Sequence, residues 1–175
     1  MNSNSADLSH LAAAARGADD HKILDLCELL LSAETETEML RGLMRILTES
    51  WGADIAWVGR PDANGNLNPD ECAGPGAAEY MRLAKIGVVG DSVPHGPAAR
   101  CWKSKTTVIV ADWLLEPVMA PWQKLEFGWR CSVSVPLLGV RGMEGVLSLY
   151  SRQPEFFFRH AGHADGVGPA IGQSP

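Results

Sequence analysis

A chain of 175 residues, 46% of them hydrophobic, has material for one core and too little for two. Its formal net charge of −6 excludes a general phosphate-backbone binder, since that affinity needs clustered Lys and Arg and the basic residues here are scattered. No apolar run reaches the ~18 residues of a bilayer span, and the opening MNSNSADLSHLAAAARGADD lacks the charged and apolar regions of a secretory signal. A cytoplasmic protein with neither membrane nor nucleic-acid partners is the expectation.

Residues 1–20 carry few large apolar side chains and read as a flexible tail. From His21 to Leu31 the apolar residues Ile23, Leu24, Leu26, Cys27, Leu30 and Leu31 recur at helical spacing. Met39, Leu40, Leu43, Met44, Ile46 and Leu47 repeat the pattern after SAETETE, with Ser32 and Thr35 as caps. Two amphipathic helices are predicted.

The period then changes. ADIAWVGRPDANGNL holds a β-favouring run followed by Asp62, Asn64 and Gly65, the residue types of a tight turn, which predicts a hairpin. The stretch from Ala73 to Lys105 is broken by Gly and Pro and has room for short helices at Ala77–Leu83 and Pro97–Lys103. Thr106–Val110 is a compact strand, and Asp112 is a good cap for the irregular segment that runs to Trp122. Cys131–Leu138, the turn GVRG and Gly145–Ser151 form a second hairpin. Five strands, mostly antiparallel, with helices before and between them make an α+β fold. The Gly-rich segment 159–175 is a poor helix former and is expected to be weakly ordered.

The order of these parts resembles a bacterial GAF domain of the kind found in diguanylate cyclase and phosphodiesterase signalling proteins. The residues that carry the likeness are DIAWVGRPDANGNL, the Gly96-Pro97 pair, VADW…EPVMAPW from Val110 to Trp122, and GWRCSVSVPL…GVLSLYS, spanning about Leu24 to Phe157. The resemblance implies a GAF-like, PAS-related central antiparallel sheet of five to six strands. Helices would pack on one face, and a loop-covered pocket would lie on the other. It places the sensor domain at 21–158. It further implies a small-molecule sensor without catalysis, with an unknown ligand, a homodimer through the terminal helices, and a GGDEF or EAL output module. Two departures stand out. Ala98 and Ala99 occupy positions where relatives carry Gly and Thr, and the long output-linking helix is replaced by the Gly-rich end. No GGDEF or EAL signature occurs in the chain, so it does not itself turn over cyclic di-GMP by those mechanisms.

Alternation along β sorts the candidate residues. Cys131, Val133 and Val135 share one face of their strand and Ser132 and Ser134 the other, so Cys131 reads as core material, with Arg130 pointing away from it. The two serines are either hydroxyls that orient a ligand or a solvent-facing pair. Six tryptophans are many for this length, and Trp102, Trp113, Trp122 and Trp129 fall in the loop-rich half. Trp113 and Trp122 are assigned to the pocket; Trp51 and Trp129 are assigned to core packing. The expected ligand-binding set is Trp57, Cys101, Trp102, Trp113, Met119, Trp122, Ser132 and Ser134.

No cofactor or metal is expected. Bilin attachment commonly uses a Cys-His pair, whereas Cys101 precedes Trp102; His95 in VPHGP reads as a solvated turn residue rather than a haem ligand. His160 and His163 lack further ligands. The Asn-Lys-x-x-x-Phe-x-x-x-Asp-Glu pattern of cyclic-nucleotide-binding relatives is absent, and GVVGDS has the wrong spacing for a phosphate loop. Asp19-Asp20 and Asp70-Glu71 read as solvated. The four cysteines, Cys27, Cys72, Cys101 and Cys131, form no CxxC pair and read as reduced thiols. Two alternatives remain open: an enzyme like the free methionine sulfoxide reductases, for which Cys72, Cys101 and Cys131 would have to approach one another, and a ligand-free dimerisation module.

Overall fold

Thr35 begins the second of two helices, its side chain accepting from Glu38 N at 3.2 Å, while Glu34 N donates back to Glu38 Oε2 at 3.1 Å. These bonds satisfy donors that a helix start otherwise leaves unpaired. The computed structural model describes residues 20–88, 95–140 and 142–161; helix α1 covers 20–32 and α2 covers Glu36–Glu49. Leu40, Met44 and Leu47 recur along α2 on one side and are buried, as the 3.6-residue period requires.

They pack on a five-stranded antiparallel sheet. Its strands are β1 (Ile55–Pro61), β2 (Leu67–Ala73), β3 (Val108–Val110), β4 (Cys131–Gly139) and β5 (Gly142–Ser151), in the order β2-β1-β5-β4-β3. Asp62 closes the first hairpin by accepting from Asn64 N and Asn66 N, both at 2.9 Å, and Gly65 supplies the positive φ of the turn. Those backbone hydrogen bonds, that to Asn66 foremost, also hold the Asp62 carboxyl below its ordinary pKa.

Register fixes which residues share a face. Trp57 lies opposite Ser148, Ser148 opposite Ser134, and Ser132 opposite Tyr150, so one face carries Trp57, Ser132, Ser134, Ser148 and Tyr150. Ala56, Val58, Leu147 and Leu149 belong to the other and meet Leu40, Met44 and Leu47 of α2. Covering the first face are α3 (Ala77–Leu83), α4 (Pro97–Ser104), the 3-10 turns Trp113–Leu115 and Pro117–Met119, and α5 (Ala120–Gln123). Both faces therefore carry helices, and the face opposite α2 is the one roofed by loops.

Local differences from the sequence reading have physical reasons. The second hairpin zips to its tip, with Gly139 paired to Gly142, so β5 begins three residues earlier than its apolar pattern does. Phe156–Ala161 form helix α6, the last of the described elements. Trp51, assigned to the core, is 45% exposed because it follows the end of α2 outside the sheet. The tail assigned to 1–20 lies outside the described residues except for its last position, which is helical and belongs to α1. Of the segment 159–175, residues 162–175 lie outside the described residues.

Candidate functional site

The roof over the serine-bearing face is tied down at both ends. Asp112 accepts from Leu114 N at 3.0 Å, capping the first 3-10 turn, and from Arg130 Nε at 2.9 Å, which joins that turn to the start of β4. Arg130 in turn lowers the Asp112 carboxyl pKa by hydrogen bonding. Trp113 N donates to Arg130 O at 2.6 Å, and the Gln123 side-chain amide donates to Trp113 O. The Trp113 indole is thereby held over the sheet.

Its Nε1 donates to Ser132 Oγ at 2.9 Å, and Ser134 and Ser148 exchange a hydroxyl hydrogen bond at 2.8 Å. All three serines are buried. Tyr150 stands at the centre of an aromatic cluster, with ring centroids 5.1 Å from Trp113 and 5.4 Å from Tyr80 in edge-to-face arrangements. Burial pushes the Tyr150 phenol up to about 12 and holds that of Tyr80 well above its ordinary value, so both stay protonated donors. Trp57 is fully buried, and its Nε1 has no acceptor in hydrogen-bonding geometry among the described residues, although it lies near enough to the Tyr150 hydroxyl to influence it.

These groups surround a cup lined by Tyr80, Ile86, Gly96, Pro97, Ala98, Trp113, Met119, Trp122 and Tyr150. No lining side chain is charged. The cup is closed: its volume is about 10 Å³, room for one water. Gly96 sits against Trp122, where a Cβ would lie 3.0 Å from the ring, so the glycine permits that closure.

The expected ligand-binding residues are distributed as follows. Trp113, Met119 and Trp122 line the cup. Trp57 and Cys101 are fully buried in the cluster around it, Trp102 packs against that cluster half-buried, and Ser132 and Ser134 are on the roofed face with their hydroxyls engaged. The sequence reading missed Tyr80, Ser148 and Tyr150. For the last two a signal existed, because SLYS continues in β5 the alternation that singled out Ser132 and Ser134 in β4.

The thiols are separated by environment. Cys101 is fully buried and desolvation pushes it up to about 11; Cys72 is half-buried and also raised by burial. Burial likewise raises Cys131, although backbone N–H groups at the start of α6 pull the other way. At neutral pH these three are thiols, and all four cysteines are free. His95 Nε2 lies 2.7 Å from Lys103 Nζ, and among the described residues no group of three or more His, Cys, Asp and Glu side chains is arranged to hold a metal. His163 and the His160 side chain lie outside the described residues. No described helix is long and apolar enough to cross a membrane.

Solved structures share this architecture. A free methionine-R-sulfoxide reductase from Neisseria meningitidis, in complex with its substrate, is 19% identical with a TM-score of 0.60, over 77% of this chain and 75% of that one. The A. aeolicus nlh2 GAF domain in an inactive state is 9% identical, TM-score 0.60, over 83% and 86%. The GAF domain of an Acinetobacter phosphoenolpyruvate-protein phosphotransferase is 13% identical, TM-score 0.59, over 82% and 89%. No curated protein sequence matches. The expectation of a domain without catalysis is corrected by these neighbours, which include enzymes of the sulfoxide reductase family at 14–19% identity, a likeness that shows a shared fold. These likenesses show no link to diguanylate cyclase or phosphodiesterase proteins. The model of the GAF domain matches residues 33–161, most of the chain, and the protein belongs to the GAF domain family.

Proposed function

We propose that this chain is a small-molecule-sensing GAF domain of signal transduction, whose ligand enters the aromatic cup by displacing the roof. The observation that carries the reading is the uncharged aromatic cup between Tyr80, Trp113, Met119, Trp122 and Tyr150, in whose surrounding cluster the buried indole nitrogens of Trp57 and Trp129 lack an acceptor in hydrogen-bonding geometry among the described residues. A buried donor without a partner costs about 1–3 kcal/mol, and an acceptor delivered by a ligand removes that cost. With about 10 Å³ inside, the cup must open to bind, so ligand shifts a closed–open equilibrium by its preference for the open form.

The finer reading is a homodimer through the terminal helices that passes the change to a GGDEF or EAL module. Apolar exposure on α1 at Ile23, Leu24, Leu30 and Leu31 supports the dimer, and the sequence likeness at VADW…EPVMAPW supports the output. Native mass spectrometry of the purified protein against metabolite extracts tests the ligand. A retained small molecule, lost in a folded Ala98→Phe variant that fills the cup, is expected; retention in that variant would refute the assignment. Sedimentation tests the dimer. Ligand-dependent cyclic di-GMP turnover by the assembled signalling protein tests the output.

A further inference from the structure

Of the aromatic side chains that line the cup, Trp122 reaches furthest toward solvent. It keeps 7% of its surface exposed, against 0% for Trp113, 1% for Tyr80 and 2% for Tyr150. It is carried by α5, a helix of four residues that the Gln123 amide ties to Trp113 O. So short a helix has no stability of its own, and packing sets its place. The packing is against Gly96, where a Cβ would lie between 3.0 and 3.3 Å from three carbons of the six-membered ring of Trp122. Turning that indole outward leaves a flat slot, two fused rings in size, beside the small residues Gly96, Pro97 and Ala98.

Two further observations describe what fits there. The slot has no charged lining, so an ionised ligand would lose its hydration and gain no countercharge. A free amino acid, with two charges, finds a partner for neither. The second observation is the sign of the unmet hydrogen bonding. In the cluster around the cup, the buried side-chain atoms without a partner among the described residues are the indole nitrogens of Trp57 and Trp129. An indole N–H donates and cannot accept, so the ligand has to bring the acceptor. Trp57 stands on the floor of the cup, on the sheet face it shares with Tyr150, whereas the Trp129 ring lies under Arg152, whose guanidinium carbon is 4.4 Å from the ring centre.

We infer, resting on the reading of the cup proposed above, that Trp122 is a plug, and that the molecule replacing it is uncharged, flat, of two fused rings, with a carbonyl oxygen that accepts from Trp57 Nε1. The protein thus closes its own site with an indole and opens it to a molecule of similar outline that carries the acceptor the indole lacks.

Calorimetric titration of the 175-residue protein with chromone, indole and 2-naphthoate tests this. Chromone has two rings, a carbonyl and no donor; indole has a donor in place of the acceptor; 2-naphthoate is charged. Chromone is expected to bind saturably with one equivalent, at least about fivefold tighter than indole and about tenfold tighter than 2-naphthoate. Trp122→Ala, with the plug removed, should bind chromone at least about tenfold tighter than the unaltered protein and keep the preference over indole. Trp57→Phe should bring chromone to about the affinity of indole and leave indole unchanged. Should that variant not fold, proton NMR of the unaltered protein reads the same contact: the Trp57 indole N–H moves downfield with chromone and not with indole. Equal binding of indole or 2-naphthoate, unchanged affinity in Trp122→Ala, or a chromone preference that survives in folded Trp57→Phe would overturn the inference. Binding of none of the three to either protein overturns it as well, while the reading of the cup is tested separately by the extract experiment; capture there of a charged molecule sinks this inference and keeps that reading.

Discussion

The indole N–H of Trp113 meets the hydroxyl of Ser132 at 2.9 Å, so one hydrogen bond joins the roof of the cup to its floor. Both groups are buried, which makes the bond worth more broken than formed: removing the acceptor strands a buried donor. Ser132→Ala is therefore expected to cost about 1–3 kcal/mol by chemical denaturation, and a double-mutant cycle with Trp113→Phe should show coupling between the two positions. Additive effects would place the stabilisation elsewhere.

Gly74 adopts a φ of +102° beside the chain entering β1, and a Cβ there would lie 2.2 Å from the Asp54 carbonyl oxygen. Backbone cannot give way as a flexible side chain does. Gly74→Ala combines that clash with an unfavourable backbone region and should destabilise by about 2 kcal/mol or more in thermal and denaturant unfolding. Gly142, with a φ of +109° and open space around it, should lose only the conformational part, about 1–2 kcal/mol.

Alkaline pH should weaken the fold. Burial pushes the Cys101 thiol from its ordinary value near 9.0 up to about 11, and the Tyr150 phenol from near 10.0 up to about 12. Between these limits the unfolded chain has lost protons that the folded one keeps. Stability from these groups is fully present below pH 9 and falls as pH rises toward 11 and 12. Unfolding midpoints measured from about pH 8 to 11 should drop along that range, and less steeply in Cys101→Ala. A flat profile would contradict the burial of these groups.

Thiol accessibility gives an independent check. Cys27 is exposed and Cys72 half-buried, while Cys101 and Cys131 are fully buried and raised in pKa. A disulfide reagent at about pH 7.5 should titrate Cys27 at once and Cys72 more slowly, with the other two reacting only on unfolding. Rapid reaction of all four would mean that the cup and α6 open freely.

Much of the fold was legible because it follows from short-range periodicity. The polar and apolar alternation of Cys131–Val135 placed Ser132 and Ser134 together on the face opposite Cys131, leaving open whether that face met solvent or a ligand, and Asp62, Asn64 and Gly65 marked the first hairpin turn. Thr35 and Asp112 act as the caps their positions suggested. What a single sequence does not carry is which residues distant along the chain meet. Tyr80 reaches Tyr150 only once α3 has folded back over the sheet, and nothing in AAEYMRL announces that contact. Trp51 is a large apolar side chain at a helix end, and its exposure is set by where α1 and α6 come to rest. Nor does the sequence state how tightly loops close: the residue types that line a ligand cup also fill one, and Trp122 packed against Gly96 does the latter here.

The central claim is that the aromatic cup opens to take up a small molecule. Fluorine NMR of protein carrying 5-fluorotryptophan, titrated with fractionated metabolite extract, tests it most directly. The account predicts saturable shifts of the Trp113 and Trp122 resonances together with Trp57, whose N–H gains an acceptor, and loss of those shifts in Ala98→Phe. Unchanged resonances at all three positions across every fraction, in protein shown to be folded, would contradict it.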